Sequence, residues 1–210
     1  MPSKPRRVPD GGAAVIDALA KDQRWAHLAP VLAVLTGVAL FSLYHPSQAM
    51  FWALVNIPLY LIHQTEEHLW PGGFKEYINT YVNKDPQGTE TLTDRKVFWI
   101  NILLVWLAFA VFGVLATIHL GFGLLIIIFS LINCATHIRQ GLMDRRWNPG
   151  LVMASIQFAI SVYAAIFVTS HGLTHAWEWW LGSILFSVVG HLLLFRFVMQ
   201  RGRPAQGTVG

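Results

Sequence analysis

The stretch Leu61-Ile62-His63-Gln64-Thr65-Glu66-Glu67-His68 closes a long apolar run with two histidines around an adjacent pair of glutamates. A charge held among lipid tails is costly, so ionisable residues inside such a run mark a functional site and demand partners. The composition says that lipid is the solvent. The chain is 54% hydrophobic and 12% charged, against about a quarter charged in soluble domains. Its 210 residues suit one domain. The single cysteine, Cys134, excludes an intrachain disulfide and a thiolate zinc cluster, and in its apolar run it reads as a small packing residue. The net charge of +4 comes without a basic groove interleaved with aromatics, so a nucleic-acid partner is excluded.

Working outward, six apolar runs cover 28 to 45, 48 to 69, 97 to 119, 121 to 140, 150 to 170 and 177 to 199. Each is near the roughly 20 residues that a helix needs to cross about 30 Å of hydrocarbon. The fold class is therefore all-α, a polytopic bundle of six transmembrane helices over residues 28 to 200. The short joints at 46 to 47, 120 and 171 to 176 contain no Lys or Arg, whereas the other segments carry all of them, Lys75, Lys84, Arg95, Arg139, Arg145, Arg146 and Arg196 among them. The positive-inside bias puts both termini in the cytoplasm and the three short joints outside.

Residues 1 to 12 and 201 to 210, rich in Pro, Gly and basic residues, read as disordered tails. No signal peptide is evident. Val15, Ile16 and Leu19 share one face of a short interfacial helix ending at Trp25. In the second cytoplasmic segment Phe74, Tyr77, Ile78, Tyr81 and Val82 recur at helical spacing, which predicts an amphipathic helix over 73 to 84 lying on the surface and gating access to a site. Thr91 with Asp94 predicts a capping box for the third span, and Pro149 beside Gly150 suits the first turn of the fifth.

Periodicity then sorts the polar residues. At about 100° per residue, Glu67 falls about 40° from His63, Glu66 about 60° to the other side and Asn56 about 20° away, so these four share a face, while His68 is about 140° off and reads as second-shell or interfacial. The fourth span brings Asn133 and His137, one turn apart, with Ser130 above them. Asn101 comes from the third, Gln157 and Ser161 from the fifth, and Ser187 and His191 from the sixth. All fall in the cytoplasmic leaflet. Interhelical hydrogen bonding would account for Asn101, Gln157, Ser130 or Ser187 singly, but packing polars have no reason to share one level.

Imidazole and carboxylate are ligands of zinc, and of non-haem iron through a two-His, one-carboxylate face. The predicted metal ligands are His63, Glu67, His137 and His191. Glu66 is left as general base or as a bridge to a second ion. Asn133 and Asn101 orient ligands or polarise a substrate oxygen; Asn56, Gln157 and His68 stand behind them. Arg139 supplies charge to the site or snorkels to lipid phosphate. The expected function is metal-dependent hydrolysis or isomerisation of a membrane lipid or apolar small-molecule substrate. Iron-dependent oxygenation on the same ligands is the first alternative, and proton- or cation-coupled transport through the Glu pair the second. A further set, His171, His175 and Glu178, lies in the last outer turn beside Trp177, Trp179 and Trp180, and reads as an aromatic interfacial belt or a surface metal site.

His63-Gln64-Thr65-Glu66-Glu67 resembles the motif that names the HXXEE-domain membrane proteins, and Asn133-x3-His137 looks like that family's second motif. The resemblance covers residues 48 to 200 and implies a multi-spanning membrane enzyme, without specifying a reaction. A weaker resemblance is to glutamate-dependent CAAX-type membrane proteases. This chain departs from them in having Pro71 where an Arg follows the glutamates, Asn133 where they have His, and Phe195 where they have Asn, so peptidase activity is not implied. Single-cysteine variants at Pro46 and Gly172 are expected to be labelled only from the outer side; labelling of both from the cytoplasm would overturn the topology.

Overall fold

Pro58 has no N–H to donate to the carbonyl of Leu54, and the second apolar run breaks there. In the computed structural model, which describes residues 11–199, the run is two helices, α3 (Ala49–Leu54) and α4 (Asn56–His68), meeting at Val55. Five helical stretches are long and apolar enough to cross a membrane: Ala14–Leu43, Asp94–Ala116, Gly121–Asp144, Leu151–Ser170 and Ala176–Met199. The expected six uninterrupted spans are thus five and a broken pair. The regular structure of the described residues is all helical, joined by loops and turns, with no strand.

The described residues open with α1 (Gly11–Ala20) and a tight 3-10 stretch (Lys21–His27) before α2 (Leu28–Leu43). The interfacial helix expected to end at Trp25 therefore stops earlier, because Asp22 and Gln23 adopt left-handed angles. That turn buries Trp25, whose ring lies 5.0 Å from His68 and 5.5 Å from Trp106. The tails expected to be disordered lie largely outside the described residues.

After α4 comes α5 (Phe74–Tyr77), prolonged by a π-helical turn (Ile78–Val82). Its apolar residues face the bundle: Phe74 packs near His68 and His137, and only Tyr81 is exposed, with Arg146 over its ring. Burial works against the Lys75 ammonium, yet Asp94 and Glu90 hold its pKa above the ordinary value, so it remains a charged tether. The Tyr77 hydroxyl donates to Asp144 at 2.9 Å, and burial together with that carboxylate pushes the phenol up to about 12.

The third long stretch runs α6 (Asp94–Trp99), a π-helical segment (Ile100–Leu107) and α7 (Ala108–Ala116). Its cap is Thr93, which accepts from the Lys96 N–H, and not the predicted Thr91, which Asp85 engages through both hydroxyl and backbone. Then follow α8 (Gly121–Asp144), α9 (Leu151–Ser170) and α10 (Ala176–Met199), with Pro149 one residue outside α9. The backbones of α3 and α8 approach closely at Ala53 and Gly123, where a side chain on Gly123 would collide with Ala53. Small residues permit such contacts where lipid gives no hydrophobic drive.

Two buried polar networks lock the helices around α4. The Gln64 amide donates to Asn101 Oδ1 at 2.6 Å and accepts from Trp106 Nε1 at 2.6 Å, while Asn101 donates to the Val97 carbonyl. Asn56 Oδ1 accepts from Gln157 and Ser161 of α9. Gln64→Leu removes the first network and leaves Asn101 Oδ1 and Trp106 Nε1 unpaired. The expected loss of stability is about 1 to 2 kcal/mol, read from the denaturation midpoint in micelles; no loss would show the network to be energetically idle.

Candidate metal centre

His63 and Glu67 stand one turn apart on α4, and both are buried. The crossing of α8 brings His137 Nε2 to 3.0 Å from Glu67 Oε1, and His63 Nε2 lies 3.5 Å from the same oxygen. One donor atom from each of the three falls within 4.8 Å of the other two. Tetrahedral ligands at roughly 2.1 Å from an ion are about 3.4 Å apart, so the spacing is close to what zinc would draw in. Asn133 Nδ2 is 3.3 Å from His63 Nε2.

The donor set is aimed by the loop between α8 and α9. Asn148 Nδ2 donates to the His137 backbone carbonyl at 3.0 Å, which fixes the amide and turns its Oδ1 to His137 Nδ1, also at 3.0 Å. That oxygen can only accept, so Nδ1 carries a proton; Nε2, 3.0 Å from Glu67 Oε1, donates to the carboxylate when it too is protonated, and would offer its lone pair to an ion taking that proton's place. Gly150, at φ 92°, lies against all three ligands. A Cβ there would meet Glu67 Cγ at 2.8 Å, His63 Cε1 at 2.9 Å and His137 Cε1 at 3.2 Å. A backbone that close admits only glycine, and so does its angle.

Glu66 has a different post. Its oxygens accept from the Val152 N–H at 3.1 Å and the Met153 N–H at 2.6 Å, in the first turn of α9. Those amides have no partner within their own helix, and the helix dipole favours an anion beside them. Each oxygen thus accepts one backbone N–H, a pairing that the sequence expectation of a general base or a bridge to a second ion did not include.

The other predicted residues scatter by direction rather than depth. His191 lies outside the three-residue group; its Nδ1 is bonded to the Ser187 carbonyl at 2.8 Å. Asn101, expected beside the site, accepts from Gln64 and donates to the Val97 carbonyl. Asn56 and Gln157 hold α4 to α9 through each other. His68 is buried behind the centre, with Nε2 3.6 Å from Glu67 Oε2. Arg139 is exposed at the rim of a cavity and makes no ion pair among the described residues. His175 and Glu178 are 3.5 Å apart but exposed, while His171 stacks on Phe167. Among the described residues only His63, Glu67 and His137 form a possible metal-holding group. Asn148 and Gly150 were missed as site residues; the one signal was an Asn-Pro-Gly turn beside a span.

Residues 54–165 match the family described as a protein of unknown function with HXXEE motif. The chain belongs to the HXXEE family. The matched segment contains the whole centre from His63 to Met153, whereas His191 lies beyond it. Comparison with curated proteins and with solved structures gives no match.

The HXXEE motif thus supplies two of the three candidate ligands, His63 and Glu67, and one helix anchor, and the orienting contacts come from the loop after α8. Asn148→Ala is expected to weaken zinc binding roughly tenfold to a hundredfold, and Gly150→Ala to weaken it at least as much by displacing the ligands. Titration against a competing chelator measures both; unaltered affinity in the two variants would refute the orienting role of the loop.

Proposed function

We propose that the chain is a membrane-embedded metalloenzyme in which His63, Glu67 and His137 hold one divalent ion, zinc or iron. The observation that carries this reading is the convergence of two buried imidazoles and one buried carboxylate beneath Gly150, with an amide fixing the tautomer of one ligand. Three protein ligands are the usual complement of a catalytic zinc site, which keeps a position open for water or substrate. Such an ion supplies Lewis acidity, polarising a substrate oxygen or making water acidic enough to act near neutral pH.

The substrate class follows from the cavity beside the centre. It holds about 250 Å³ and is bounded by His137 and Asn133 on one side and by Phe74, Ile78, Leu194 and Val198 on the other. These walls favour an apolar small molecule or a lipid chain with a polar group at the metal end, turned over by hydrolysis or isomerisation. The helix over 74–82 is the gate, fastened to α8 by Tyr77 and Asp144. We further read α3 and α4 as one broken crossing, which gives six passages and puts the centre in the cytoplasmic leaflet, in keeping with the basic residues of that side.

Transport is disfavoured by the use of the two glutamates: Glu66 is spent on the helix terminus, and Glu67 faces two imidazoles.

The test is metal content. Purified protein is expected to carry one ion per chain; His63→Ala, Glu67→Gln and His137→Ala should lose it, while Glu66→Gln keeps it at reduced stability. Tyr77→Phe should keep it too and raise amide exchange over 74–82. Equal retention in every variant would end the metal reading, and loss in Glu66→Gln with retention in Glu67→Gln would reverse the parts assigned to the two glutamates.

A further inference from the structure

His191 lines the same cavity as His137 without joining the metal group. Its Nδ1 lies 2.8 Å from the carbonyl oxygen of Ser187, one turn earlier on α10. A carbonyl only accepts, so Nδ1 must donate, and the neutral ring keeps its lone pair on Nε2. The ring is held by Phe129, with centroids 4.6 Å apart, and the residue is only 5% exposed. Nε2 has no hydrogen-bond partner among the described residues.

A buried acceptor left unpaired is costly, and that cost is recovered when a ligand brings a donor to it. We propose that His191 is a substrate-binding hydrogen-bond acceptor, and that the substrate is a largely apolar molecule carrying a hydroxyl or N–H group that it presents to Nε2. The proposal rests on the metalloenzyme reading for the place of the reacting end, and it replaces the predicted role of His191 as a fourth metal ligand. The apolar walls supply affinity along the body of the molecule. Nε2 supplies selectivity, because a site built to accept from a donor discriminates against an analogue that lacks one. An alcohol should therefore bind where the matching ether does not.

The experiment uses the full chain in detergent micelles, zinc-loaded, with isotope-labelled histidine. Long-range proton–nitrogen spectra should show His191 as the Nδ1–H tautomer. Decanol should shift its Nε2 resonance saturably, and decyl methyl ether should not. His191→Phe should retain zinc and bind decanol about tenfold more weakly, the loss of roughly one hydrogen bond; His191→Gln, which keeps an acceptor, should restore part of the difference. An Nε2–H tautomer, an equal response to alcohol and ether, or loss of zinc in His191→Phe to the extent seen in His63→Ala would each overturn the proposal. The unsubstituted protein reports the first two without any variant having to fold. A protein that binds no zinc yet keeps the alcohol-specific shift would defeat the metal reading and still support the acceptor role of His191.

Discussion

One carboxylate, Glu67, is shared by two imidazoles in a part of the bundle closed to water. A buried charge is stable only with partners close and well aimed, and here the partners come from different helices. His63 rides on the same helix and costs no long-range organisation. His137 requires α8 to cross α4 at that turn, at the depth where Glu67 points inward. The Asn56–Gln157–Ser161 and Gln64–Asn101–Trp106 networks hold α4 on either side of the crossing, so much of the buried polarity of the chain serves to keep one carboxylate facing two rings.

The adjacent glutamate shows how two acids coexist in one apolar setting. Like charges placed together would oppose each other's ionisation. Successive residues of a helix, however, point about 100° apart, and Glu66 and Glu67 use that angle to reach unlike partners. Glu66 meets a helix N-terminus, where the exposed N–H groups of Val152 and Met153 stabilise a carboxylate with no metal present. This pairing sets where α9 begins. The same short segment carries Gly150 and Asn148, so anchoring the helix also positions the backbone over the ligands and the amide beside His137. One acid builds the wall against which the other can bind.

These relations explain what could be read from the chain. The long helices were legible because hydropathy runs report on the solvent around each segment, whereas several of their ends, set by tight turns and caps, were not; the His63–Glu67 pair was legible because one turn of helix is a local relation. Asn133 and His137 followed by the same rule. The break before Pro58 was also written in the sequence, in a missing N–H, but was masked by the continuity of the apolar run. Depth in a membrane fixes height and leaves direction free; that is why His191 and Asn101, at the right level, turn to other partners. The contacts of Glu66 had no sequence signal, since backbone N–H groups are present at every residue except proline. Gly150 and Asn148 lay in a loop, where periodicity is silent.

The wall between the centre and its surroundings joins access to metal holding. Asn133, Thr136, His137 and Gln140 recur at helical spacing, so one edge of α8 faces the cavity, and the same helix ends at Asp144, to which Tyr77 fastens the helix over 74–82. Phe74 at the start of that helix lies with its ring 6.0 Å from that of His137 and 5.6 Å from that of His68. Lifting the 74–82 segment would withdraw an aromatic face from two histidines around Glu67 and admit a medium of higher dielectric, which weakens the attraction between Glu67 and any cation beside it. Lowering it restores the apolar cover. If the 74–82 segment is the gate proposed above, its movement would also set how strongly the carboxylate holds its charge partners, with no separate device to couple the two.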